Sequence, residues 1–241
     1  MERWIVRVIW VFLLFVFVGG VLRLRTETLS AQATAETAGP SCAKGVEMSN
    51  TRNSSTPSPT PSTPLDQAYL DSQGWKQRVD AGLGAWVSVN EQLFRVIRGG
   101  QVIWQVKCST AAKGTGFDMG SEKTPLGWHS VAKKIGAGAP WGQVFRARQT
   151  LSKEIWRPGV KTDEDLVLTR ILMLSGEEPG KNKGGNVDSL DRGIYIHGTS
   201  DEARIGTPSS HGCVRLRNDD VIKAFDMLPE GTPVLITERR Q

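Results

Sequence analysis

Two of the chain's three histidines and one of its three cysteines fall between residues 197 and 213, in the runs Ile196-His197-Gly198-Thr199 and Pro208-Ser209-Ser210-His211-Gly212-Cys213-Val214-Arg215-Leu216-Arg217-Asn218. A thiol of ordinary pKa, about 8.5, is only a few per cent ionised at neutral pH. An imidazole within hydrogen-bond reach takes its proton and makes a good nucleophile, so Cys213 and His197 together read as a nucleophile and its base. The imidazole needs a fixed tautomer, and a backbone carbonyl at Gly198 or Thr199 can accept from its far nitrogen. Gly212 permits unusual dihedrals and close approach of a reacting carbonyl. The N–H groups of His211, Gly212 and Cys213 are candidates to converge on a developing oxyanion. Arg215 falls on the same face of a strand as Cys213 and suits a carboxylate. Ser210 reads as a turn residue or a supporting donor.

Blander readings compete with each of these. A lone cysteine is most often an ordinary buried thiol, but Ser-His-Gly and a nearby second histidine make the polar neighbourhood that a reactive thiol needs. His197, His211 and Cys213 are three ligands at most, with no CxxC pair to complete a zinc site, so no metal or cofactor is expected. Cys42 and Cys108 lie in a polar stretch and a strand-like run, and the odd count gives no disulfide framework. His129 and most of the eight tryptophans read as core or rim.

These side chains need short strands to place them. Runs at 86–89, 93–97, 102–106, 128–132, 165–174, 194–197, 214–216 and 232–237 are β-branched or aromatic, with Gly and Pro punctuation. Asn90-Glu91-Gln92 and Arg98-Gly99-Gly100-Gln101 read as hairpin connections. His197 closes one strand and Cys213 opens another, so pairing of the two brings both to one sheet edge. Asn218 reads as the N-cap of a helix whose apolar face is Val221, Ile222, Phe225 and Leu228, stopped by Pro229 and Gly231. The pattern predicts a mainly antiparallel sandwich or barrel over residues 85–241, preceded by a short lead-in helix at 65–84 that Gly74 interrupts.

Upstream, Val8 to Leu22 is unbroken apolar sequence behind Arg3 and Arg7, which predicts a signal peptide or signal-anchor within residues 1–25. Residues 26–64 are rich in Ser, Thr and Pro and read as a disordered, semi-stiff tether. Both readings carry the domain out of the cytoplasm. The net charge of +5 is dispersed. It suits an anionic polymer or surface, and the absence of any zinc-finger or aromatic-basic footprint argues against nucleic acid.

The run His197-Gly198-Thr199, then Ser210-His211-Gly212-Cys213-Val214-Arg215-Leu216-Arg217-Asn218, is similar to the signature of the L,D-transpeptidase (YkuD-type) family. That signature is a His-Gly dipeptide, a loop, then Ser/Thr-His-Gly-Cys-Val/Ile-Arg-Met/Leu-x-Asn. Thr124-Pro125-Leu126-Gly127 and Leu174-Ser175-Gly176 also resemble members from diderm bacteria. The resemblance covers residues 85–236. It implies an antiparallel β-sandwich with one or two short helices and a site at one end. It implies a role in peptidoglycan synthesis and cell shape, in the periplasm or cell envelope. Cys213 would form a thioester with a tetrapeptide stem. An amine, from another stem or a lipoprotein lysine, would take the acyl group. His197 would move the proton, His211 and Gly212 would serve the oxyanion with Gly198 and Ser210 behind them, and Arg215 and Asn218 would face or support substrate. Two rivals remain at this point: a hydrolase using the same acyl-enzyme, and a non-catalytic wall-binding module tethered to the membrane.

Overall fold

The computed structural model describes residues 67–79, 82–147, 154–160, 162 and 164–238. The expected apolar segment, the tether and Cys42 lie outside these residues.

Among the described residues there are nine strands: β1 (Leu83–Ser88), β2 (Leu93–Arg98), β3 (Gln101–Lys107), β4 (Gly127–Ile135), β5 (Val144–Phe145), β6 (Val167–Gly176), β7 (Tyr195–Gly198), β8 (Val214–Leu216) and β9 (Pro233–Thr237). They form one sheet of order β3-β2-β1-β9-β4-β6-β7-β8, with β5 added to β6. The pairings are antiparallel except β1 with β9 and β7 with β8. The β2–β3 connection works as the sequence indicates, because Gly99 and Gly100 both take positive φ, 56° and 74°, as a tight two-residue hairpin turn requires. The sheet curls until its ends meet: Ser109, just past β3, bridges to Arg215 on β8. Its two halves then face each other like the layers of a sandwich. Ala85, Val87, Phe94 and Val96 from one half share a core with Leu172, Leu174, Ile196, Val214 and Leu216 from the other.

A helix, α3 (Asn218–Met227), packs on β6 and β7 through Val221, Ala224 and Phe225. Strand β6 is buried along nearly its whole length, as expected of a strand covered on both faces. The lead-in forms two short helices, α1 (Gln67–Ser72) and α2 (Trp75–Val79), with Gly74 at φ 80° between them. Leu70, Trp75 and Val79 cover Trp86, Ile97, Trp128 and Leu235 on the outer face. Among the described residues, five tryptophans, at 75, 86, 104, 128 and 156, are buried, so aromatic content here supports packing.

His129 is fully buried. Its Nδ1–H donates to the Gly127 carbonyl (3.0 Å), which leaves Nε2 to accept from the Ser189 hydroxyl (3.0 Å). Burial holds its pKa down at about 4. The unfolded chain takes this proton near the ordinary value of about 6.5. Between those values the unfolded state binds more protons, so stability rises with pH through the window and is lost as pH falls across it. Urea unfolding from pH 7 to 4.5 is expected to show His129→Gln less acid-sensitive than wild type, by up to about 1.4 kcal/mol per pH unit. Parallel curves for the two proteins would contradict this assignment.

Candidate active site

Strand pairing sets the geometry. In the parallel β7–β8 ladder Ile196 pairs with Val214 and His197 with Arg215. Residues 195 and 197 share a face, as do 213 and 215, so Tyr195, His197, Cys213 and Arg215 lie on one side of the sheet. The fifteen-residue connection between the strands is the length a parallel crossover needs.

His197 is 1% exposed. Its Nδ1 lies 2.8 Å from the Gly198 carbonyl. A carbonyl only accepts, so Nδ1 carries the proton and Nε2 keeps its lone pair, the tautomer a base requires. Burial pushes the His197 pKa below its ordinary value, and the Arg215 charge adds to this. The Gly198 hydrogen bond and the Asp165 charge oppose it.

Cys213 is half-buried. Its thiol donates to the Gly193 carbonyl (3.4 Å), and its sulfur accepts the Tyr195 N–H (3.4 Å). Burial pushes its pKa up to about 11, with a contribution from Asp165; the Tyr195 N–H and the charges of Arg215 and Arg192 pull the other way. At neutral pH the resting pair is therefore neutral thiol and neutral imidazole. The expected hydrogen bond between them is not made. The parallel register sets His197 opposite Arg215 and Cys213 beside Tyr195, two residues along, and the thiol finds a nearer acceptor in Gly193. Catalytic contacts often tighten only when substrate arrives.

The loop before Cys213 is clipped from within. Ser210 Oγ donates to the Cys213 carbonyl (2.6 Å) and accepts the Gly212 N–H (3.2 Å). Thr124 Oγ1 donates to the Gly212 carbonyl (3.0 Å). Gly212 sits at φ 124°, which favours glycine. In the resting site its N–H is held by Ser210. Gly212 shapes the turn, and Ser210 holds it.

Of the two places open to Asn218, the structure gives it the supporting one. It is fully buried. Its Oδ1 accepts from Thr169 Oγ1 (2.6 Å), and its Nδ2 donates to the Thr199 carbonyl (2.8 Å) and Glu202 Oε1 (2.7 Å). With its amide saturated inside the protein it cannot face substrate. Nor is it the N-cap: Arg217 holds that position, and the Glu202 carboxylate accepts the Asn218 N–H from outside the helix (2.7 Å). Asn218 ties β6, the end of β7 and α3 together beneath Gly198.

Arg215 is 2% exposed and its guanidinium is engaged. It contacts the Asp165 carboxylate through Nη2 and Asp201 through Nη1 (3.7 Å), while its Nε has no hydrogen-bond partner. His211 is exposed, and its Nδ1–H donates to the same Asp165 oxygen (2.7 Å). Burial alone would raise the Asp165 pKa; the His211 hydrogen bond and the Arg215 charge hold it lowered. His197, His211 and Cys213, the alternative ligand trio, turn to separate partners and do not converge.

A cleft of about 710 Å³ opens beside the motif, between Trp156 and Val160 on one side and Asp165, Asp201, His211 and Arg215 on the other. His197 and Cys213 do not line it. Sequence reading gave no role to Asp165, Asp201, Arg192 or the Gly193 carbonyl. Asp165 opens an apolar run, where it looks like a strand boundary. Arg192 follows a Gly/Lys/Asn-rich loop without a specific signal, yet its guanidinium binds the carbonyls of Lys123 (2.7 Å) and Gly116 (3.3 Å) close enough to act on Cys213.

The model of the YkuD L,D-transpeptidase catalytic domain matches residues 84–236. The probable L,D-transpeptidase ErfK/SrfK of Salmonella typhimurium is 29% identical over 124 residues, 52% of this chain and 36% of that protein. The putative L,D-transpeptidase YqjB of Bacillus subtilis is 45% identical over 56 residues, 23% of this chain and 32% of that protein. The match thus spans about a third of these relatives' lengths. Among solved structures, an L,D-transpeptidase from Mycobacterium smegmatis aligns with TM-score 0.41 and 16% identity over 64% of this chain and 58% of its own. L,D-transpeptidase 3 from Mycobacterium tuberculosis, in complex with a faropenem-derived adduct, aligns with TM-score 0.42 and 16% identity, over 65% and 60%. With a family model covering well over half of its residues, the chain belongs to the YkuD family of L,D-transpeptidase catalytic domains.

Proposed function

We propose that this chain is a peptidoglycan L,D-transpeptidase with Cys213 as nucleophile and His197 as proton carrier. One observation carries the reading: a half-buried thiol shares a sheet face with a buried imidazole whose Nε2 lone pair is left open by the Nδ1–Gly198 bond.

Both groups start neutral, so the chemistry is general-base catalysis. The thiol swings from Gly193 toward His197 as a tetrapeptide stem binds. His197 Nε2 takes the S–H proton while sulfur attacks the carbonyl that precedes the terminal D-Ala. The carbonyl π pair moves to oxygen. The C–N bond then breaks, His197 returns the proton to the leaving amine, and D-Ala departs from a thioester. An acceptor amine, from a second stem or a lipoprotein lysine, gives its proton to His197 and attacks. The C–S bond breaks, and the thiolate recovers its proton. The Tyr195 N–H, already aimed at sulfur, is the donor best placed to stabilise developing negative charge there. The apolar segment and tether at residues 1–64 would hold the domain at the membrane, facing the wall.

The test is product analysis. Purified tetrapeptide stems are expected to yield crosslinked dimers by mass spectrometry. Tripeptide alone would move the assignment to a hydrolase of the same bonds. Because burial lowers the His197 pKa, the base form survives on the acid side of the ordinary range. The acid limb of kcat/KM should therefore fall below pH 6.5, the unperturbed value being about 6.5. A limb at or above that pH would argue against His197 as the base.

A further inference from the structure

Arg215 places a buried positive charge beside the imidazole that must itself become positive during acylation. The two are register partners on adjacent strands and share a face. Left alone, that guanidinium would oppose imidazolium formation at the step where Cys213 gives up its proton. Asp165 answers it. One carboxylate oxygen receives both the Arg215 Nη2 and the His211 Nδ1–H (2.7 Å). The carboxylate is largely withdrawn from solvent, at 27% side-chain exposure, and Arg215 is withdrawn almost completely, at 3%. Screening by water is weak at such a pair.

We propose that Asp165 is a positioning residue of this site: it holds Arg215 and the rim residue His211 on one oxygen, and its charge cancels that of Arg215 next to His197 so that the imidazole can accept the Cys213 proton. The inference rests on the reading of Cys213 and His197 given above. Other charges stand one step further out. Asp201 takes the second Arg215 nitrogen at 3.7 Å and Arg204 pairs with Asp201. Glu202 is occupied by Asn218. Arg192 acts on Cys213, with Asp118 acting on it. Of these only Asp165 and Arg215 act on His197, and they act in opposite directions.

Asp165→Asn keeps the shape and removes the charge, and Asp165→Glu restores it. The readout is the His197 ring titration followed by NMR in the full-length protein. Asp165→Asn is expected to move its midpoint to lower pH than wild type. It should also slow acylation of Cys213 by a tetrapeptide stem about tenfold or more at pH 7. Asp165→Glu should recover most of both. A merely structural role predicts another pattern, because loosening the site would expose His197 and move its midpoint up toward the ordinary value. An unchanged or raised midpoint in Asp165→Asn would overturn the proposal. Were the variant too unstable to titrate, Arg215→Met against the Asp165→Asn/Arg215→Met pair would decide it: with Asp165 unopposed the Arg215→Met midpoint should lie above wild type, removing Asp165 as well should bring it back down, and equal midpoints in the two would overturn the idea. If the midpoint moves as expected but wild type is never acylated by a stem, the transpeptidase reading fails and the electrostatic role of Asp165 stands.

Discussion

Replacing His197 with alanine is expected to slow acylation of Cys213 about 100- to 10,000-fold, the range a positioned general base contributes. The size follows from the resting state. With its pKa raised to about 11, Cys213 is almost entirely thiol at neutral pH, so the proposed mechanism has no preformed thiolate to draw on. On that reading nearly every productive attack passes its proton to His197. His197 is the one imidazole that shares that face with Cys213 among the described residues; Arg215 there is a cation. The measurement is the rate of adduct formation with a carbapenem, whose strained ring a cysteine nucleophile opens as it would an amide, followed by intact mass at pH 7. His197 is buried, so its removal also leaves a cavity; urea unfolding run beside the assay separates lost folding from lost chemistry. A variant that stays folded and reacts within about threefold of wild type would remove His197 from the mechanism.

Asn218→Ala is expected to destabilise the fold by about 3–5 kcal/mol, the upper range for a single substitution. Three side-chain hydrogen bonds disappear together, to Thr169, Thr199 and Glu202. What they leave behind is a buried carbonyl, a buried hydroxyl and a carboxylate with one partner fewer, and each such group costs about 1–3 kcal/mol when left unmade. Asn218→Asp should serve no better, since it keeps an acceptor for Thr169 but sets a second carboxylate against Glu202. The effect reaches the active site through Gly198. A Cβ there would meet Asn218 Oδ1 and would lie 2.8 Å from the Leu168 carbonyl, so the strand end that carries His197 is seated directly on this asparagine. A urea midpoint within the error of wild type would show that the network is not what fixes β7.

The sequence located most of the elements because their signals are local. β-branched and aromatic runs mark β1 to β4, Gly99-Gly100 marks a hairpin, and Pro229 and Gly231 mark the end of α3. The catalytic candidates were visible for the same reason, since the cysteine, the histidine and their flanking glycines sit in two short runs. What was hidden depends on partners distant along the chain. The parallel pairing of β7 with β8 is set by how a fifteen-residue loop crosses over, and it decides that His197 faces Arg215 and that the thiol rests on Gly193. Asn218 and Arg215 are polar residues in a motif, and residue type alone does not separate one that faces substrate from one that crosslinks the interior. Burial marks out Asn218, which is spent on Thr169, Thr199 and Glu202, whereas Arg215 holds Asp165 and Asp201 and still lines the cleft. Asp165 lies 46 residues before His211, and no local pattern connects the two.

The nucleophile itself is open to direct observation. Wild-type protein incubated with a tetrapeptide stem and quenched in acid should gain the mass of the stem less D-Ala, and digestion should place that mass on the peptide containing Cys213. Cys213→Ala, with the same unfolding midpoint, should gain nothing. Crosslinked product formed without any adduct on Cys213, or an adduct that persists in Cys213→Ala, would contradict the account.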